Sequence, residues 1–341
     1  MTHNPYPRLV ELAQQAHLPD ELGYFGAPAP HRDELAKVVA ANRPILDEIR
    51  ECLTPECHVP LKFEKDYLKQ HMAEVQELRN VARVFGMAGT LARMDEQWAD
   101  SVQVGIDLLW LGCVTRRGGL NPDMLVAAAI TGTGFEVLRK VRTQLDQEQR
   151  SQLLEVLTQV EAATEPLDDV LTRDRDWELA AAIGHEDEPW DFDRWLAEIE
   201  ETLPTGETLD EEDRHDLRNL YKVYEETGGI VVEDVTPMLQ DTEQRRVAQF
   251  RMLTIDLALR TYHRAMDEYP VELSKLAPKI LAEVPLDPFT GKPFLYHWMP
   301  HDFQLASPGP TGIDSKVLGP WLQIHQGQAN LCLDEADFDD D

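Results

Sequence analysis

From Arg32 to Val160 apolar side chains return every three or four positions, and beyond Tyr269 that rhythm gives way to a run of prolines. A chain written in these two patterns must bury two kinds of surface, helix stripes first and a turn-rich unit last. Leu35, Val38, Val39, Ile45, Leu46 and Ile49 predict one or two helices over Arg32 to Leu53, ending near Thr54-Pro55. From about Asp66 to Gly112 the pattern predicts two helices joined at Met94-Asp95-Glu96. Leu78, Val81, Ala82, Phe85, Ala88 and Leu91 form one stripe; Trp98, Val102, Ile106 and Leu109 form the stripe expected to face it. A second pair follows over Leu125 to Val141 and Glu148 to Val160. In it Ala127, Ala128, Ala129, Gly132 and Gly134 make a narrow face that a neighbouring backbone can approach. Gly132-Thr133-Gly134 is not a phosphate loop: it lacks the third glycine of a dinucleotide fingerprint and the Gly-Lys-Ser/Thr of a P-loop, and no strand precedes it.

With 341 residues, 43% hydrophobic and 28% charged, the chain is long enough for two globular units. Its 32 Lys and Arg stand against 63 Asp and Glu, a net charge of −31. Such a surface repels phosphate backbones and anionic headgroups, which argues against nucleic acid as a partner. No window reaches the roughly 18–20 apolar residues of a membrane span; the greasiest stretch, Ile106 to Val114, is short and holds Asp107. Residues His185 to Asp216 are dominated by acid with Trp190, Phe192 and Trp195 interleaved. Solvated acid is the ordinary reading of such a stretch. Aromatics among acid can also dock on a basic groove, which makes these three the candidate protein-binding residues.

The large-small alternation over a span of about 34 residues looks like a tetratricopeptide-type helical hairpin. After a helix over Arg245 to Ala265, the chain runs through Tyr269-Pro270 and a short helical piece with Leu273 and Leu276. Then come Pro285-Leu-Asp-Pro-Phe-Thr-Gly-Lys-Pro293, a hairpin of Phe294–Met299 with Phe303–Ser307, and Ser307-Pro-Gly-Pro-Thr-Gly-Ile-Asp314. Leu318 to Ile324 reads as a further strand, and the tail from Asp334 is acidic.

The run from Leu253 to Asp314 resembles the C-terminal part of type II secretion major pseudopilins. The whole chain, from Asn4-Pro-Tyr-Pro7 through Arg116-Arg-Gly-Gly119 to about Lys316, resembles a family of planctomycete-type envelope proteins that pair a helical region with this ending. The resemblance implies a mostly α fold: a tetratricopeptide-like domain over 1–183, an acidic helical segment and linker over 184–240, a pseudopilin-like α+β unit over 241–333 and a tail over 334–341. It implies the cell envelope or periplasm, with a membrane anchor preceding the present start. The first residues, Met-Thr-His-Asn-Pro-Tyr-Pro, lack a secretory signal, and with Met1 as native start the expectation becomes cytoplasmic. Pseudopilins can hold calcium in the loop after the hairpin, which here leaves Asp302, Ser307 and Asp314 as oxygen donors. Thr311 stands where the first aspartate would be, and Ser315 replaces one of a usual acidic pair.

No His-Glu-x-x-His helix, Gly-x-Ser-x-Gly elbow or P-loop is present, and no catalytic residue is assigned. A single Glu-x-x-His pair, Glu212 and His215, falls short of a di-metal bundle site, which needs two. His58, His71, His263, His297 and His301 are scattered and read as surface or capping residues. Cys52 and Cys57 can close a disulfide loop, stay thiols, or contribute to a metal site; Cys113 reads as a small core residue. Three functions remain: a non-catalytic interaction or scaffold protein of the envelope, an enzyme with a carboxylate-lined cleft between the two units, or a calcium-stabilised structural module. The enzyme reading requires a deep pocket with converging Asp, Glu or His at that junction.

Overall fold

The computed structural model of the chain describes residues 4–19, 31–63, 67–183, 235–319 and 330–333. It is mostly helical. The described helices are α1 (Tyr6–Gln15), α2 (Arg32–Cys52), α3 (Tyr67–Met94), α4 (Trp98–Arg116), α5 (Asn121–Val141), α6 (Gln147–Ala163), α7 (Leu167–Ile183) and α8 (Thr236–Met266). Local chemistry sets their ends. Glu34 reaches back to accept from the His31 N–H at 2.9 Å at the start of α2. Asp146 and Gln149 cap α6 reciprocally at 2.8 and 3.0 Å. Pro122 and Pro237 sit in the first turns of α5 and α8, where a missing N–H costs nothing. Asp267, left-handed with φ 60°, terminates α8. Residues 32–52 thus form one helix, and α1 and α7 are helices that the periodicity did not announce.

Helix α4 runs through the middle of the helical layer, between α3 and α5. It is apolar nearly all round, and its two sides have different partners. Val104, Leu108, Leu111 and Val114 join Leu78, Val81, Val84 and Phe85 of α3, together with α1 and α2, in one core. Val102 and Leu109, with the half-buried Trp98 and Ile106, join Phe135 and Leu138 of α5, Leu153 and Leu157 of α6, and Phe250, Leu253 and Leu257 of α8 in another. The stripe expected to face α3 therefore faces the other way. A helix with apolar residues on every side carries no direction of its own, so its neighbours decide.

The small-residue face of α5 is real but narrower than expected. A Cβ on Gly134 would sit 3.0 Å from the Leu108 Cβ and 3.1 Å from the Gly105 carbonyl oxygen, and one on Gly112 would sit 2.3 Å from the Thr131 hydroxyl. Ala127, Thr131, Gly134 and Leu138, one helical stripe, thus meet Gly105 and Gly112 of α4. Gly132 and Ala129 lie off that stripe: Gly132 has open space at its Cβ position and Ala129 is exposed.

The C-terminal unit wraps the second half of α8. Ile255, Ala258 and Leu259 pack with Leu273, Leu276, Phe294, Leu305 and Leu331. The proline-rich turn is organised by Asp287, whose Oδ1 accepts from the backbone N–H groups of Phe289 (3.0 Å) and Thr290 (2.9 Å). Strands β1 (Leu295–Trp298) and β2 (Phe303–Ser307) pair antiparallel with Trp298 opposite Phe303. The Tyr296 hydroxyl donates to the Pro270 carbonyl and the Trp298 indole to that of Tyr269, tying the hairpin to the end of α8. The third strand, β3, covers only Leu318–Gly319 among the described residues. An additional strand, β4 (Asn330–Cys332), inserts between β2 and β3, antiparallel to the former and parallel to the latter.

Candidate functional site

Several buried polar groups flank the corner between α4 and α5, Arg116-Arg117-Gly118-Gly119, among them His71, Arg116, Asp123 and Arg246. The local fold of the corner depends on the glycines. Gly118 has φ +74°, and a Cβ there would meet the Val59 carbonyl oxygen at 3.1 Å. Arg117 turns back to donate to the carbonyls of Thr54, Pro55 and Cys57 at 3.2, 3.0 and 3.0 Å, closing the end of α2. Helix α7 braces the corner from outside: Arg173 donates to the Gly119 carbonyl at 2.6 Å, and Asp174 accepts from both the backbone and the side chain of Asn121.

On one side of the corner lies a buried imidazole–carboxylate pair. His71 is 1% exposed and Asp123 is fully buried. The His71 Nε2–H donates to Asp123 Oδ1 at 2.7 Å, and Nδ1 faces Glu74 Oε2 at 3.2 Å. Asp123 uses its other oxygen to cap α5, accepting from the Leu120 N–H at 2.8 Å. Burial opposes the charged imidazole, but the hydrogen bond and charge of Asp123, reinforced by Glu74, outweigh it and raise the His71 pKa. Tyr67 stacks on the imidazole with centroids 5.0 Å apart and 11° between planes. The Tyr67 and Tyr6 hydroxyls are buried without a hydrogen-bond partner. Burial, with the charges of Asp123 and Glu74 behind it, pushes both phenols up.

On the other side lies an arginine-rich seam against α8. Glu243 accepts from Arg246 at Nε (3.0 Å) and Nη2 (2.8 Å) and from Arg116 Nη1 at 2.6 Å. Burial would raise the Glu243 carboxyl, and the two guanidinium groups override it and hold it below its usual value. A cavity of about 10 Å³ adjoins, walled by Leu109, Gly112, Cys113, Arg116, Thr131 and Phe250 among others. That is room for about one water molecule. Aromatic packing continues the seam: Phe135 meets Phe250 edge-on at 4.7 Å, and Arg246 lies over the Phe250 ring. Two further carboxylates there are taken by arginine, Glu161 by Arg251 at 3.1 Å and Asp256 by Arg260 at 2.7 Å.

The residues singled out in the sequence fare unevenly. Asp302 caps Phe303 in the hairpin turn at 2.8 Å, and Ser307 accepts from the Gly309 N–H at 3.0 Å at the far end of β2. Ser307 ends the strand of five residues that begins just after Asp302, about 15 Å of extended chain, so the three proposed calcium donors do not converge. Asp314 is committed to Lys316 and Asn330, whose hydrogen bonds hold its carboxyl at about 2. Among the described residues no group of three His, Cys, Asp or Glu is placed to hold a metal. Cys52 and Cys57 are not bridged; both are buried thiols, and burial pushes Cys57 up to about 12. Trp190, Phe192, Trp195, Glu212 and His215 lie outside the described residues. His71 is the clear correction, being core rather than surface. Its local signal was the His71–Glu74 spacing, but the partner that matters, Asp123, is 52 residues away.

No helix among the described residues is long and apolar enough to cross a membrane. Comparison with protein-family models, with curated proteins and with solved structures gives no match.

Proposed function

We propose that this chain is a non-catalytic interaction or scaffold protein of the cell envelope, with tetratricopeptide-like hairpins carrying a pseudopilin-like C-terminal unit. The observation that carries this reading is the seam between the helical layer and α8. Phe135, Leu138, Leu153 and Leu157 close on Phe250, Leu253 and Leu257. Glu243 is forked between two arginines on different helices. An apolar seam with buried ion pairs fixes two units as one platform, which suits presenting surfaces to partners. An enzyme cleft at this junction calls instead for unpaired, converging carboxylates, and the described ones are neutralised by arginine.

The test is proximity labelling in the native host, with the full chain and with a variant lacking residues 184–234. Enrichment of envelope proteins by the full chain is expected. Labelling indistinguishable from that of a cytosolic control refutes the reading, and equal enrichment by the deletion variant removes the acidic segment as the docking element.

A further inference from the structure

We propose that the arginine cluster where the start of α6 meets the end of α8 is a docking site for a short acidic segment, and that its occupant is this chain's own residues 334–341. Both helices build the site. Leu153 and Leu157 of α6 pack with Leu253 and Leu257 of α8, and each helix carries arginine one turn outside that contact: Arg150 on α6, Arg260 and then Arg264 on α8. Arg260 is fixed in place, forking Asp256 at 2.7 and 3.1 Å and lying over the Phe303 ring at 5.6 Å. Tyr269 joins the same floor, its ring 4.9 Å from that of Phe303.

Arg150 is the group that calls for an anion. It is 9% exposed, and no hydrogen bond or ion pair holds its guanidinium among the described residues. Of its three guanidinium nitrogens only Nε is sealed in without a partner, so the Nη pair is the part that opens outward. Burial and then the charges of Arg260 and Arg264 work against its charged form, with weaker support from Asp146. The neighbouring carboxylates have other tasks. Asp146 caps α6 through the Gln149 N–H, Asp256 serves Arg142 (3.3 Å) as well as Arg260, and Asp302 caps Phe303. Arg264 is exposed and also has no ion-pair partner among the described residues.

Residues 334–341 have the charge and the reach to supply that anion. Six of these eight residues are acidic: Asp334, Glu335, Asp337, Asp339, Asp340 and Asp341. They follow Leu333, which packs against both the seam core of α6 and α8 and the core of the C-terminal unit. Cys332 lies opposite Ala306, and Phe303, beneath Arg260, is three residues along the same strand, about 10 Å away. Eight residues extend to about 26 Å, so the segment reaches all three arginines from its own chain. In a protein of net charge −31 most of the surface repels such a segment, and a patch with spare guanidinium donors attracts it.

The test is carried out on the full chain with Phe338 replaced by the photo-crosslinker p-benzoylphenylalanine and the products mapped by mass spectrometry. Cross-links within one chain to α6 and α8 around Arg150 and Arg264 are expected. Arg264→Glu, at an exposed position where folding is not at risk, should cut their yield about fivefold, while Arg264→Lys, which keeps the charge, should leave it unchanged. Arg150→Gln should act like Arg264→Glu, and 0.5 M NaCl should weaken the cross-links in the wild-type background. Equal yields with Arg264 and with Arg264→Glu overturn the proposal even if Arg150→Gln fails to fold. So do cross-links scattered over other surfaces, and so do cross-linked dimers in place of monomers, which would assign the site to a second copy of the chain.

Discussion

Replacing Glu243 by Gln should destabilise this protein strongly, because it strands two buried guanidinium groups at once. Glu243 receives three charge-assisted hydrogen bonds from two guanidinium groups whose side chains are only 3% and 9% exposed, and is itself 16% exposed. Gln keeps the shape and one acceptor oxygen but removes the negative charge that Arg116 and Arg246 share. Removing one partner of a buried pair costs about 3–5 kcal/mol. The residual exposure and the retained oxygen place this case near 3 kcal/mol. With a urea slope of about 3 kcal/mol/M, the unfolding midpoint followed by tryptophan fluorescence should fall by about 1 M. Glu136→Gln is the internal control: Glu136 is also forked by an arginine, but its side chain is 42% exposed, and the expected loss is below about 1 kcal/mol. Adding Arg116→Met to Glu243→Gln should recover part of the loss, because one of the two stranded cations is gone. If Glu243→Gln and Glu136→Gln shift the midpoint equally, charge pairing in the seam is not what the geometry says it is.

The other expectations concern the opposite face of the corner and the thiols. The raised folded-state pKa of His71 means that its protonated form stabilises the fold; that contribution is complete below about pH 6.5 and is lost as pH rises through the folded value. Urea melts should therefore show stability declining above pH 6.5, and His71→Gln should flatten that slope; an unchanged pH profile in His71→Gln sinks the assignment. Glu243 acts with the opposite sign, its contribution present above about pH 4.3 and lost as acid protonates it. Gly118→Ala, which forces a side chain into φ +74° and against the Val59 carbonyl, should cost about 1–2 kcal/mol, measured by the same melts. Cys52 and Cys57, buried and with raised pKa values, should resist iodoacetamide in the native state and react only on unfolding. Rapid native labelling, or a mass two daltons low, would contradict that.

Local spacing alone placed most of what is regular here. One or two helices over Arg32 to Leu53, a turn at Met94-Asp95-Glu96, the α5–α6 pair, a short helical piece with Leu273 and Leu276 and the β1–β2 hairpin follow from period and proline, which act within a few residues; the structure makes the first a single helix, 32–52. Tertiary structure decided whatever depended on a distant partner. Helix α4 is apolar on every side, so only its neighbours assigned Val104 and Leu108 to one core and Val102 and Leu109 to the other. Strand β4 has three residues and no pattern of its own; it exists because β2 offers it an edge. His71 became a buried, charge-stabilised group because Asp123 arrives from 52 residues away, and the open edge of Arg116 exists because Glu243, 127 residues on, takes only its Nη1. Ion pairs and cavities form across such separations, where amino-acid spacing carries no signal, and that is why the mostly helical character was legible in the sequence while the packing of the helices and the candidate site were not.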